Sequence, residues 1–158
     1  MKNGKDEVKE QEEELNGILE YEFKRVKELK LNEYGIEIEK SNDFTKWNVT
    51  LNAPEDSDYK GGKYKVLVEF KFDYPYENPE FTFQTKIYHC NVDENGKLKV
   101  NWLMRGMKID YILPRLLTLF YIQDDSIDEK NEKCILHKNN PDEFKENIKK
   151  NVEEIKNN

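Results

Sequence analysis

Along this chain the spacing of hydrophobic and polar positions changes several times, and each spacing predicts an element. From Leu15 the apolar residues Ile18, Leu19, Phe23, Val26 and Leu29 recur three and four apart, which predicts an amphipathic helix. Lys24, Arg25 and Lys27 fall between them, towards the outer face. Ahead of this stripe, residues 1–14 are polar and acidic, dominated by Asp6, Glu7, Glu10, Glu12, Glu13 and Glu14. Their first few positions predict a flexible start. The acidic run then suits the first turns of the helix, where negative charge complements the macrodipole. Beyond the helix the period drops to two. Ile36 and Ile38 alternate with Glu37 and Glu39, and Trp47, Val49 and Leu51 alternate with polar neighbours. Tyr64, Val66, Val68, Phe70 and Phe72 form the longest such run, Phe81 and Phe83 a shorter one. Short connections containing Gly, Asn, Asp and Pro join these segments, so they predict a four-stranded antiparallel meander.

Periodicity disappears between Ile87 and Leu103, which predicts an extended irregular segment. Ile112, Leu113, Leu116, Leu117 and Phe120 then mark a buried helix, with Pro114 placed in its first turn, where a missing N–H costs nothing. Residues 123–133 read as a charged loop that includes the surroundings of Cys134. Asn140-Pro141-Asp142-Glu143 is a helix start, with Asn140 as cap and Glu143 three residues on. Phe144, Ile148, Val152 and Ile155 continue it as one apolar stripe. The whole predicts an α+β fold: an N-terminal helix, the meander, the irregular segment and two or more C-terminal helices. Residues 15–158 form a single domain, preceded by an acidic, partly flexible extension over 1–14.

Composition changes this picture in a few places. The 158 residues are enough for one domain with a core of its own. A net charge of −7, with 37 % charged residues, argues against a nucleic-acid groove. Aromatic content of 12 % argues for a folded domain despite the polar average. The two cysteines, Cys90 and Cys134, lie far apart in sequence and in no metal-type spacing, and read as two reduced thiols of a cytoplasmic or nuclear protein. With neither a signal peptide nor a run of about 18 apolar residues, no membrane partner is expected. No cofactor and no metal are expected either.

The candidate chemistry lies between residues 59 and 99. Tyr59-Lys60-Gly61-Gly62 is followed by Tyr74-Pro75-Tyr76, Pro79, Phe83 and Thr85, and then by His89-Cys90-Asn91. Singly these are common turn chemistry, but in this order and spacing the run resembles the ubiquitin-conjugating (E2) family. That family carries Tyr-x-Gly-Gly, Tyr-Pro-x-x-x-Pro and His-Pro-Asn in sequence. Trp47 and Pro54 match further positions, and the resemblance covers residues 18–122 with a looser echo in the last helix. It implies the UBC fold, with the irregular segment as the active-site segment. In the family the catalytic cysteine lies ten residues after the histidine, a count that lands here on Lys99, with Asn95-Gly96 in the intervening turn.

A lysine at that position removes the carrier step on two grounds. The family's thiolate is both nucleophile and leaving group, whereas a lysine of ordinary pKa near 10.4 is protonated at neutral pH. An acylated lysine would be an amide, too stable to pass its cargo on. The resemblance implies two roles for the neighbours: His89 holds the loop, and Asn91 either stabilises an oxyanion or also holds the loop. Cys90 replaces the motif's proline and is either a small semi-buried residue or a displaced nucleophile. Asn101 stands where the family has an acidic residue, and Met107-Lys108-Ile109 where it has Trp-Ser-Pro, a loop that recruits ligating partners. Lys24, Arg25 and Lys27 match basic positions that meet the activating enzyme, or form a solvated helix face. Tyr76 matches a ligase contact, or packs into the core. Asn78 replaces a proline of that loop.

The resemblance therefore implies an E2 variant lacking the catalytic cysteine. Such a protein binds an active E2, ubiquitin or a ubiquitin-like protein, or a ligase. Its vestigial site would be His89, Cys90, Asn91 and Asn101 around Lys99. Two alternatives stand beside it. One is an active enzyme, using Cys90 or carrying Lys99 as an engineered replacement of cysteine. The other is a structural interaction domain with no link to ubiquitin.

Overall fold

The computed structural model describes residues 3–158; Met1 and Lys2, where the flexible start was expected, lie outside the described residues. Helix α1 runs Gly4–Glu28, capped by the Asn3 side chain, which accepts from the Asp6 N–H at 3.0 Å. The acidic run forms its first turns. Leu15, Leu19 and Val26 bury one face as the periodicity predicts, but the buried row continues through Glu22 rather than Ile18 or Leu29, which are exposed.

Four strands follow: β1 (Ile36–Lys40), β2 (Lys46–Asn52), β3 (Lys63–Glu69) and β4 (Glu80–Phe83). They pair antiparallel in sequence order, the predicted meander. Its register places Ile38 opposite Val49, Val49 opposite Val66, and Val66 opposite Phe83, so one face of the sheet carries a continuous apolar row. Each such side chain contributes about 1.5–3 kcal/mol on burial. The long period-two run nevertheless stops early. Glu69 is the last residue of β3 with a partner on β2, and Phe72 sits in the following turn, exposed.

Phe23 of α1 meets Trp47 edge-on, and Trp47 meets Phe70 in the same way, seating the helix on the sheet. Helix α2 (Ile109–Arg115) adds Ile109, Ile112 and Leu113 to the core and continues as a 3-10 segment, Leu116–Phe120. Pro114 is not in its first turn. The helix begins three residues earlier than the apolar pattern suggested, so the proline falls near its end, and the chain tightens to 3-10 geometry directly afterwards.

Helix α3 (Glu132–Asn139) was not expected; it occupies the end of the supposed charged loop and carries Cys134. Helix α4 (Pro141–Lys156) starts where its signature placed it. Asn140 Oδ1 accepts from the Glu143 N–H, and Asn140 Nδ2 donates to Glu143 Oε2. Buried Asn151 on α4 fastens that helix to the sheet and to the segment after β4. Its Oδ1 accepts from Tyr64 Oη and the Tyr88 N–H, and its Nδ2 donates to the Lys86 carbonyl.

Candidate active site

Two short turns position the site. In the first, Gly62 donates its N–H to the Tyr59 carbonyl at 2.8 Å, and a Cβ at Gly62 would lie 2.9 Å from that same oxygen. Only glycine closes this turn, and closing it holds Tyr59 in the core. In the second, the backbone N–H groups of Asn95 and Lys97 both donate to Asp93 Oδ1 at 2.9 Å. Gly96 there has φ +81°, and a Cβ would meet the Phe83 carbonyl oxygen at 2.2 Å. Phe83 donates its N–H to Gly96 O, and Leu98 to Phe81 O, so the turn lies along the free edge of β4.

Around His89 every polar group has a partner. His89 is fully buried; its Nε2 donates to the Leu119 carbonyl at 2.7 Å, and its Nδ1 accepts from the Asn91 N–H at 2.9 Å. Burial pushes the imidazole down to about 4, so the ring is neutral at physiological pH. Asn91 uses both ends of its amide on one residue: Nδ2 donates to Asp124 O, and Oδ1 accepts from the Asp124 N–H, each at 2.9 Å. Gln123 accepts from the Cys90 N–H and donates to Tyr59 Oη, which itself donates to Tyr88 O. Lys133 of α3 reaches across to donate to Val92 O at 2.6 Å, and burial lowers its ammonium below the usual lysine value.

The cysteines require a correction. Cys90 and Cys134 are not two reduced thiols but a disulfide, with Cα atoms 4.9 Å apart. Forty-four residues separate them in sequence. Helix α3 brings Cys134 back under the loop, and its amphipathic signal is too weak to reveal this from sequence. Cys90 is 3 % exposed. With its sulfur bonded, it offers no thiolate, so the displaced nucleophile has no support in this state.

Lys99 stands apart from these contacts. Its backbone N–H donates to Asn91 O at 2.7 Å, which sets the residue beside the motif loop. Its side chain is 55 % exposed, and the ammonium lies 3.8 Å from Asp93 Oδ2. Asn101 is exposed beyond it. Trp102 is half-buried beneath the Arg115 guanidinium, 4.9 Å from its ring centroid. The structure thus brings His89, Cys90, Asn91 and Lys99 together in one place.

The expected partner-binding residues lie elsewhere and make separate contacts. Arg25 pairs with Asp110 of α2 at 3.1 Å, and Lys27 donates to the Ile38 carbonyl of β1. Lys24 is 74 % exposed and pairs with Glu20 one turn earlier at 3.9 Å. Tyr76 is exposed rather than packed in the core. Its loop is joined to the segment after Lys99, since Asn78 Nδ2 donates to Met104 O and Gly106 donates its N–H to Pro75 O. Sequence reasoning missed Gln123, Asp124 and Lys133. All three lie in a polar stretch without periodicity, and nothing local marks them as supports of the loop. Among the described residues, no group of three or more His, Cys, Asp or Glu is placed to hold a metal ion. No described helix is long and apolar enough to cross a membrane.

Comparison with known proteins places this arrangement in context. The family model described as ubiquitin-conjugating enzyme matches residues 18–152, further towards the C-terminus than the motifs alone reach. A ubiquitin-conjugating enzyme E2 of African swine fever virus is 31 % identical over 134 residues, covering 72 % of this chain and 62 % of the viral protein. One of Caenorhabditis elegans is 39 % identical over 90 residues, covering 53 % of this chain and 57 % of that protein. A probable one of Arabidopsis thaliana is 36 % identical over 63 residues, covering 40 % and 41 %. The matches therefore span less than two thirds of each relative's length.

Proposed function

Because the chain belongs to the ubiquitin-conjugating enzyme family, we propose that it serves a conjugation pathway without carrying the modifier itself. On this reading it binds an active E2, ubiquitin or a ubiquitin-like protein, or a ligase. The observation that carries the proposal is Lys99: an exposed ammonium beside Asp93 at the position where the family's pattern places the thiol. Asn91, the family's oxyanion donor, has both ends of its amide on the Asp124 backbone, which supports a role in holding the loop.

Incubation with activating enzyme, ATP and ubiquitin, followed by reducing and non-reducing gels, tests the proposal. No thiol-sensitive adduct is expected from the native chain. An adduct lost in Cys90→Ala would overturn the reading. Lys99→Cys is expected to leave discharge to free lysine negligible, because Asn101 and Met107-Lys108-Ile109 have also departed from the pattern. Robust discharge by that single variant would show that the surroundings are still competent and that the lysine alone silences them.

A further inference from the structure

Helix α3 is tied to the molecule chiefly through one side chain. It has eight residues, and the one that is buried is Cys134, half of the disulfide. Isolated helices shorter than about 12–15 residues are marginal in water, so α3 depends on what holds it down. Beside the disulfide, Lys133 donates to Val92 O at 2.6 Å, and His137 Nδ1 donates to Asp125 Oδ1 at 2.6 Å. Both members of the His137–Asp125 pair are partly open to water, Leu136 is half-buried and Ile135 is exposed. The loop at the other end of the bond needs no such help. His89, Asn91 and the Cys90 N–H are bonded to Leu119, Asp124 and Gln123 whatever the state of the sulfur. The disulfide therefore joins a part that is held without it to a part that is not.

We propose that Cys90–Cys134 is a redox latch: a dithiol reductant opens the bond and releases α3 from the loop around Cys90, and a disulfide oxidant seats it again. The step is thiol–disulfide exchange. The Cys90–Cys134 S–S bond breaks and takes up two electrons and two protons, giving two thiols, while one S–S bond forms in the reductant. Closure is the reverse, with the oxidant's S–S bond broken. Cys90 and Cys134 are 3 % and 1 % exposed, so the reductant gains access through local opening of α3, the kind of motion that short, lightly packed segments undergo. Asn140 lies between α3 and α4 and provides the hinge. His137 forms one wall of a cavity of about 70 Å³ that Tyr59, Phe120 and Phe144 also line, so the open form uncovers aromatic surface that the closed form hides. The inference stands whether or not the chain takes part in ubiquitin transfer, because it uses neither Lys99 nor a modifier.

The test treats the full chain with dithiothreitol and then with oxidised glutathione, and reads thiol alkylation and amide hydrogen exchange by mass spectrometry. Neither cysteine is alkylated before reduction, and both are afterwards. Amides 135–139 then exchange at least about tenfold faster, while those of β2 and β3 stay within about twofold. Oxidised glutathione restores the slow rates. Cys134→Ser exchanges at the fast rate with or without dithiothreitol. Should that variant fail to fold, the cycle of reduction and reoxidation in the unaltered chain decides the matter. Thiols alkylated before reduction, unchanged exchange in α3 after it, or equal acceleration in β2 and β3 would overturn the proposal. So would reduction that proceeds only as fast as the whole sheet opens to exchange, since the bond would then be a staple of the fold rather than a latch.

Discussion

The loop around His89 and the irregular segment at Lys99 lie side by side and obey opposite rules. At His89, Cys90 and Asn91 the side chains are buried and fully bonded, to Leu119, Cys134 and Asp124 respectively. At Lys99 the side chain is half in water and held by one long ion pair. The scaffold of the site is therefore part of the protein's stability, whereas the position for chemistry is not. Changes in the first region should unfold or loosen the molecule. A change in the second should alter little beyond what the side chain meets in solution.

The widest separation between the two regions comes from the disulfide. Cys134→Ala, or reduction, is expected to lower unfolding free energy by about 2–4 kcal/mol, measured by urea denaturation with and without dithiothreitol. An unchanged midpoint would show that the bond contributes nothing to holding α3 against the loop. Next comes Asn91→Ala, which strands the Asp124 N–H and C=O. A loss of about 2 kcal/mol is expected, and an effect as small as that of a surface change would place Asn91 outside the scaffold.

His89 sharpens the comparison through pH. Its folded value, about 4, lies below the ordinary histidine value of 6.5, so between those limits the unfolded chain binds a proton that the folded one refuses. The contribution of the neutral ring is whole above about pH 6.5 and declines as pH falls towards 4, with a slope of up to about 1.4 kcal/mol per pH unit. His89→Ala is expected to flatten that part of the stability profile, and a profile of unchanged slope would mean that the ring does not stay neutral. The smallest effect belongs to Lys99→Ala, expected to shift stability by less than about 0.5 kcal/mol. A larger loss in the same denaturation experiment would merge the two regions into one.

How much of this was legible in the sequence depends on how each element is stabilised. The meander could be read because half-buried strands must alternate, and Trp47, Val49 and Leu51 do so without exception. The start of α4 could be read because Asn140 and Glu143 satisfy orphan N–H groups locally. Helix α3 could not: Cys134, Ile135 and Leu136 are consecutive rather than periodic, and the helix is fixed by its contacts with α4 and Cys90. The disulfide was hidden for the same reason. Glu22 was hidden by its type, since a glutamate in an apolar row is read as a break in the stripe rather than as part of it. At the site itself, the position of Lys99 followed from motif spacing, but the supports from Gln123, Asp124 and Lys133 exist only once the chain has returned from a distant part of the sequence.

The turn that precedes Lys99 has a consequence for how this position can change over generations. The Asp93 carboxylate and the backbone of Gly96 fix the turn, and the backbone N–H of residue 99 is held by Asn91 O whatever side chain it bears. Folding is consequently blind to the identity of residue 99. A thiol and an amine arrive at the same place above β4, and selection for a stable protein cannot distinguish them. Only selection on what the side chain does can keep either one, so the pressures that preserve this fold and those that preserve its chemistry act on separate residues and can part company by a change at a single codon.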